Sequence, residues 1–167
     1  MHASVRPTEA PSGDARSHLF DHAPTLFRLA VRLTGSAPDA EDIVHDVFVK
    51  ALAHFKAGSF RGDSSLLTWL YRATTNLSLD RLRSLKRRQH EVAPEPPTAG
   101  SPEAGVLLKE LSEALAELPD DQRAAMVLKE LQGLSTRETA LVLERSEGAT
   151  EQLLVRARAT LRRRFEP

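Results

Sequence analysis

The last third of the chain, from Leu118 to Arg164, constrains the fold more than any other stretch. A short amphipathic segment there ends at Gly133, and Ser135-Thr136-Arg137-Glu138 has the pattern of a capping box that begins a second helix. Ser146-Glu147-Gly148 then begins a third helix, which ends in three consecutive arginines. Three short helices with tight turns and a basic end predict a helix-turn-helix unit.

Composition favours an all-α fold for the whole chain. Hydrophobic residues make up 41% and aromatic residues only 5%, so the core must be built mostly from Leu, Val and Ala, which favours helices over sheets. The chain has no cysteine, which excludes disulfides and thiolate zinc sites. Its formal net charge is zero, so any basic surface for a nucleic acid must be local.

Breaks in the pattern predict two small helical domains joined by a Pro-rich linker. Residues 1–17 are polar, with Pro, Ser and Gly among them, and we expect a disordered tail. Apolar residues at helical spacing follow over 18–89, the first domain. Residues 90–105 contain four prolines and predict the linker. Residues 106–167 form the second domain, which carries the helix-turn-helix.

The longest predicted helix, from about Ser64 to Arg88, carries a stripe of polar groups headed by an aromatic ring. Arginine binds phosphate, asparagine can hydrogen-bond a base edge and tryptophan can stack on an unpaired base, so the stripe suggests a nucleic-acid face. Its members are Trp69, Arg72, Asn76, Asp80, Arg83 and Arg87. The alternative is a solvated helix face, with Trp69 in the core and Asp80 paired with Arg83.

The segment before this helix, from Lys56 to Asp63, predicts a loop that could approach a ligand closely. It contains two glycines, and Asp and Ser side chains can bond a base edge. The candidate contacts are Phe60, Arg61, Asp63 and Ser64. The alternative for Asp63 or Ser64 is the capping of the following helix.

An acidic amphipathic helix is predicted upstream, where Ser36 and Pro38 mark a helix start. Its acids could bind a basic partner helix. The residues assigned to that contact are Asp39, Glu41, Asp42, Asp46 and Phe48. The alternatives are acids that only favour a helix N-terminus and a metal site at His45, which has no second His within a turn.

The third helix of the helix-turn-helix would read the DNA sequence. Its early residues, such as Thr150, Glu151 and Gln152, are expected to face outward and meet base edges in a major groove. Arginines further along would meet phosphates. The expected contacts of this unit are Arg137, Ser146, Thr150, Glu151, Gln152, Arg156 and Arg158. The alternative is a small helical bundle with a basic tail.

No catalytic motif is evident, since the chain lacks both Gly-x-Ser-x-Gly and His-Glu-x-x-His. We therefore expect no enzyme and no catalytic, metal or cofactor site. No apolar run reaches membrane-spanning length, and the first residues lack the apolar core of a signal peptide. We expect a cytoplasmic protein that does not insert into a membrane.

These motifs, in this order, resemble the small two-domain bacterial RNA polymerase sigma factors of the extracytoplasmic-function (ECF) group. The stretch that resembles the helix docking the polymerase clamp is 39–48. The stretches that resemble the part opening and reading the minus-ten element are 60–65, 68–72, 76–77 and 80–83. Those that resemble the domain reading the minus-thirty-five element are 118–119, 122–123, 133–135, 138–140, 156–158 and 161–162.

The resemblance implies an alternative-type sigma factor that binds core RNA polymerase, recognises promoter DNA and promotes strand opening, with an anti-sigma protein as its regulator. The reading helix departs from the family at Glu151 and Leu153, where relatives usually carry positive charges. This departure motivates a second hypothesis, a sigma-like decoy that binds an anti-sigma protein without initiating transcription. A third hypothesis is a dimeric helix-turn-helix repressor that acts without polymerase on palindromic DNA.

Overall fold

The computed structural model of the chain describes residues 18–58, 65–89 and 102–166, with the backbone alone at 89 and 102–108. Throughout these residues the fold is all-α, as predicted, and no strand is present. Within the same ranges a 3-10 turn (Leu19–His22) precedes seven α-helices, and a π-helical turn (Val127–Leu131) follows the fifth. The helices are α1 (Ala23–Thr34), α2 (Ala37–Lys56), α3 (Leu66–Gln89), α4 (Pro102–Ala116), α5 (Asp120–Met126), α6 (Thr136–Leu143) and α7 (Glu147–Phe165).

Local capping signals fix where α2, α6 and α7 begin. The Ser36 hydroxyl accepts a hydrogen bond from the Asp39 amide at the start of α2. At α6 the predicted capping box forms, because the Ser135 hydroxyl accepts from the Glu138 amide at 3.1 Å and the Glu138 carboxylate accepts from the Ser135 amide at 2.7 Å. Ser146 caps α7 in the same way. A cap of this kind contributes about 1 kcal/mol to helix stability.

One helix begins earlier than the sequence predicts. Helix α4 begins at Pro102, inside the predicted linker 90–105, because proline in the first helical position lacks only an amide that the helix leaves unpaired. The helix therefore begins four residues before Val106, where the sequence pattern places its start. The predicted tail, 1–17, and the linker residues 90–101 lie outside the described residues.

Helices α1, α2 and the first half of α3 enclose one apolar core. Its buried residues include Leu26 and Ala30 from α1, and Leu70 from α3. The remaining buried members are Leu19, Ala40, Ile43, Val44, Val47 and Ala51. The fully buried side chains of α2 fall on one face of the helix, the pattern expected of an amphipathic helix that packs against a core.

A second apolar core joins this three-helix block to the C-terminal block formed by α4–α7. Leu29 and Leu33 of α1 and Tyr71 and Leu79 of α3 belong to the same buried cluster as apolar residues of the C-terminal block. Those residues are Leu115, Leu118, Ala124, Val127, Leu128, Leu134, Val142 and Ala157. The helix-turn-helix therefore lies against α3, where several of the predicted nucleic-acid contacts are located.

Arg123 is a buried arginine that holds the end of α4. Its side chain is 3% exposed, and its guanidinium donates hydrogen bonds to the carbonyls of Leu115, Ala116 and Leu118 at 2.7, 2.7 and 3.3 Å. The last carbonyls of a helix have no partner within the helix, so Arg123 supplies their donors. Burial lowers the pKa of Arg123, and the nearby Asp120 opposes that shift.

Candidate nucleic-acid interface

The polar stripe predicted on α3 is present and is exposed along most of its length. Its exposed members are Asn76, Asp80, Arg83 and Arg87. Trp69, at its head, is half-buried and packs against the core of α1–α3. The Trp69 ring meets the exposed His54 ring edge-on, with 5.2 Å between the ring centroids. Part of the tryptophan is therefore in the core, as the alternative prediction has it, and part remains accessible.

Arg72 lies on the same stripe but contacts the C-terminal block. Its guanidinium donates to the Leu141 carbonyl at 2.8 Å and lies 3.2 Å from the Glu144 carboxylate. Glu144 follows the last residue of α6 in a left-handed backbone conformation, with φ at 54°. A helix-ending residue of α6 thus holds an arginine that the sequence assigns to nucleic acid.

A second contact between the blocks lies three turns further along α3. Arg83 and Lys86 both bind the Asp120 carboxylate, at 3.2 and 3.3 Å, and the Asp120 side chain is only 18% exposed. Arg83 also pairs with Asp80 at 3.2 Å, which confirms the alternative prediction for that residue pair. No local pattern in the sequence indicates the contacts of Asp120, because its partners are 37 and 34 residues away.

The loop residues assigned to the same surface, Phe60, Arg61, Asp63 and Ser64, lie outside the described residues. The next residue, Ser65, accepts a hydrogen bond from the Thr68 amide at 3.1 Å and so caps the start of α3. Ser65 lies one helical turn before Trp69, the head of the polar stripe, and its carbonyl accepts from the Trp69 amide at 3.1 Å.

The acidic face of α2 lies on the outside of the three-helix block. Its exposed acids are Glu41, Asp42 and Asp46. Arg81 of α3 binds Asp39 at 2.9 Å and Asp42 at 3.3 Å, so two of the assigned acids already have a cationic partner. Phe48 is half-buried and meets the exposed Phe20 ring edge-on, with 5.1 Å between centroids.

An apolar strip lies beside these acids, and the sequence pattern above does not predict it. A shallow groove on α2 is lined by Val49, Leu52, Ala53 and Lys56, and Val49 is 53% exposed. The available signal was the run Val47-Phe48-Val49, which extends the apolar face around the helix further than a single buried stripe requires. The outer surface of α2 therefore combines carboxylates with apolar side chains, as protein-docking surfaces often do.

The start of α7 presents fewer side chains than expected. Thr150 is fully buried, and its hydroxyl donates to the Ser146 carbonyl at 2.9 Å, so the expected outward orientation of Thr150 is wrong. The reason is helical periodicity: Thr150 shares a face with the buried Leu154 and Ala157, four and seven residues on. Ser146 likewise uses its hydroxyl as the helix cap.

The exposed face of α7 carries Glu151, Gln152 and Arg156. Arg158, expected to meet phosphate, binds the Glu130 carboxylate at 2.7 Å and lies 3.7 Å from that of Glu151. A phosphate would have to displace these carboxylates. Arg137, on α6, is exposed.

No helix in the described ranges is long and apolar enough to cross a bilayer. No three histidine, aspartate or glutamate side chains in the described ranges lie close enough together to hold a metal ion.

Two protein-family models match the chain, one on each helical block. The model described as Sigma-70 region 2 matches residues 19–88. The model described as Sigma-70, region 4 matches residues 108–161. The first match spans α1–α3, and the second runs from within α4 into α7.

The chain is also similar to complete proteins. It is 36% identical to the ECF RNA polymerase sigma factor SigM of Mycobacterium tuberculosis, over 85% of this chain and 72% of that protein. It is 31% identical to the RNA polymerase sigma-H factor of Pseudomonas aeruginosa, over 85% and 81%. It is 32% identical to the ECF RNA polymerase sigma-E factor of Escherichia coli, over 77% and 75%.

Two solved structures resemble the chain over both blocks. The sigma factor RpoE, in a co-crystal with the anti-sigma factor NepR from Bartonella quintana, has a TM-score of 0.67 and 28% identity over 91% of this chain and 96% of that one. CnrH in complex with the cytosolic domain of CnrY has a TM-score of 0.66 and 28% identity over 90% and 86%.

Proposed function

We infer what the residues of this chain do from one premise: the chain belongs to the extracytoplasmic-function (ECF) sigma factors. It is an alternative sigma factor, a transcription regulator that binds core RNA polymerase and promoter DNA. The observation that carries the assignment to residues is the stripe on α3, where the exposed Asn76 lies between Arg72 and Arg83 on one helix face.

We propose that this stripe and the loop before it bind the minus-ten element. Arg72, Arg83 and Arg87 would bind phosphates, while Asn76 would hydrogen-bond a base edge. The exposed part of Trp69 would stack on an unpaired base. The proposed contacts are Phe60, Arg61, Asp63, Ser64, Trp69, Arg72, Asn76, Asp80, Arg83 and Arg87.

Strand opening would follow from the same contacts. The loop and Trp69 can bind a base only after its base pair is broken. These contacts therefore stabilise the opened DNA and not the closed duplex. The chain would need no nucleotide hydrolysis for this step. We therefore propose that it is not itself an enzyme and that it acts in the cytoplasm beside the polymerase.

The outer surface of α2 is the proposed polymerase-docking face. Its exposed carboxylates would meet basic groups of the polymerase, and the apolar strip at Val49 and Leu52 would be covered in the complex. The docking residues proposed from the sequence are Asp39, Glu41, Asp42, Asp46 and Phe48. Because Arg81 already binds Asp39 and Asp42, the exposed Glu41 and Asp46 are the acids we expect to contribute most.

The C-terminal block would read the minus-thirty-five element through α6 and α7. Glu151 and Gln152 lie on the exposed face of α7, where base edges would be reached. The proposed contacts are Arg137, Ser146, Glu151, Gln152, Arg156 and Arg158, and the buried Thr150 is excluded. The division into domains at 18–89 and 106–167, with a linker between, also stays a proposal.

Contacts between the two blocks suggest how the chain is regulated. Arg72 and Arg83 bind Glu144 and Asp120, so DNA and the C-terminal block compete for the same guanidinium groups. The proposed minus-ten contacts therefore require these ion pairs to open. An anti-sigma protein that favours the closed arrangement would block them, and the Bartonella quintana relative above was solved in complex with an anti-sigma factor.

The deciding experiment is run-off transcription with the purified chain, core polymerase and a genomic promoter library. Specific transcripts that fall about tenfold in Asn76→Ala and are retained in an exposed control, Glu110→Ala, would support the assignment of the α3 stripe. A chain that binds core polymerase or an anti-sigma protein but starts no transcript would support the decoy hypothesis, which the acidic residue at 151 motivates.

A further inference from the structure

The burial pattern of α7 defines which side chains its first turns can offer to a ligand. Thr150, Leu154 and Ala157 are buried, so the opposite face is the accessible one. Glu151 and Gln152 lie on that accessible face, one turn after the helix begins. A carboxylate and a carboxamide are thus presented side by side where a helix-turn-helix meets a major groove.

The charge of Glu151 is only partly compensated. Its carboxylate lies 3.7 Å from Arg158, whose other guanidinium nitrogen binds Glu130 at 2.7 Å. Two carboxylates therefore share one guanidinium, and the Glu151 side chain remains 49% exposed. Glu151 therefore presents an accessible negative charge near the start of α7, and its nearest cation is Arg158, two turns further along the helix.

An anion in this position selects among the groups that DNA can present. Phosphates repel the Glu151 carboxylate. In the major groove, guanine and thymine present hydrogen-bond acceptors, which a carboxylate cannot bind. Cytosine offers the N4 amino group, a donor with no adjacent acceptor, which suits a carboxylate, while adenine suits the paired donor and acceptor of a carboxamide.

We propose that Glu151 is a specificity-determining residue that requires a cytosine in the minus-thirty-five element. Gln152, its neighbour, would favour an adenine at an adjacent position by the same logic. This inference rests on the proposed function, because it assumes that α7 reads the minus-thirty-five element.

The test is a selection experiment with the holoenzyme made from core polymerase and the full chain. Duplexes with randomised bases across both promoter elements are bound, recovered and sequenced. We expect the wild-type chain to enrich cytosine at one upstream position by about tenfold or more over the other bases, the discrimination typical of one good base contact. Glu151→Gln should lose that preference and gain adenine at the same position.

Two further variants make the result specific. Glu151→Lys should move the preference at that position to guanine, because lysine donates to the two guanine acceptors. Glu130→Gln is the matched control, since it removes the other carboxylate bound to Arg158 and leaves Glu151 in place; it should retain the cytosine preference.

The outcomes separate this inference from the proposed function. Upstream enrichment without a cytosine preference, or a preference unchanged in both Glu151 variants, would overturn the inference alone. Enrichment of downstream sequence with none upstream would overturn the assignment of α7 to the minus-thirty-five element, and the inference with it.

Discussion

Arg72 and Glu144 face each other across the boundary between the two helical blocks, with 3.2 Å between guanidinium and carboxylate. Glu144 makes this contact from a left-handed backbone conformation, φ 54°, which glycine adopts freely and other residues adopt at a cost of about 1 kcal/mol. A glutamate therefore occupies a position where backbone energy alone would favour glycine or asparagine, and its side chain reaches an arginine of the proposed DNA face.

Two substitutions at Glu144 should separate the energetic cost of its left-handed backbone conformation from the contribution of its ion pair with Arg72. Glu144→Val is expected to lower the free energy of unfolding by about 1–2 kcal/mol more than Glu144→Asn, because a β-branched side chain is strained in the left-handed region and asparagine is tolerated there. Both variants remove the contact with Arg72, so the difference reports the backbone. Urea unfolding measures it, and equal losses would show that this turn relaxes without strain.

Arg123 should be among the residues most sensitive to truncation. We expect Arg123→Met to lower the free energy of unfolding by about 3 kcal/mol, because the Ala116 and Leu118 carbonyls lose the guanidinium as a donor and the Leu115 carbonyl keeps only the Leu118 amide. Arg137→Met, at an exposed arginine, is the matched control and should change stability by less than about 0.5 kcal/mol. Comparable losses in the two variants would contradict the capping role.

His22 should make the fold less stable in acid. Burial lowers the pKa of His22 below 6.5, Asp21 opposes the shift and His18 adds to it. The folded chain then binds this proton more weakly than the unfolded chain, so the stabilisation is present above about pH 6.5 and is lost as the pH falls below it. Urea midpoints measured from pH 7.5 to 5 should fall less in His22→Gln than in wild type.

The control for this prediction is Asn76→Ala, which replaces an exposed side chain that carries no titratable group. Its pH profile should follow that of the wild type. If the His22 variant shows the wild-type profile as well, the acid sensitivity of the chain arises elsewhere.

Asn76 should matter for promoter opening and not for folding. It is exposed on α3, so Asn76→Ala is expected to leave thermal stability and affinity for core polymerase unchanged while reducing open-complex formation about tenfold, the loss of one base contact. Trp69→Ala is a less clean probe, because the half-buried ring also supports the α1–α3 core. Equal loss of core binding and opening in Asn76→Ala would remove this residue from the DNA face.

Local signals made much of the fold predictable. Ser135 and Glu138 form the capping box read from the sequence, and Ser36 and Ser146 cap the helices expected after them. The start of α4 at Pro102 was placed too late, because composition suggested a linker where proline in fact opens a helix. Local sequence patterns locate helix caps well. They are less informative about proline, which occurs both in loops and at the starts of helices.

The candidate site was less predictable because its contacts are tertiary. Spacing placed Arg72, Asn76 and Arg83 on one face, but nothing local indicates that Glu144 and Asp120 bind the two arginines. The expected orientation of Thr150 is wrong for a related reason: a polar residue early in a reading helix is expected to point outward, whereas packing of Leu154 turns that face of the helix inward.

The shared contact of Arg83 and Lys86 with Asp120 also bears on how the chain would respond to ionic strength. DNA binding normally releases the cations condensed on phosphates, so affinity falls steeply as salt is added, with a slope set by the number of phosphates neutralised. Here the protein already supplies a carboxylate to two of its cations. When DNA takes them over, the freed carboxylate attracts cations from solution and offsets part of that release. Promoter affinity would therefore decline less steeply with salt than the number of basic residues on α3 implies.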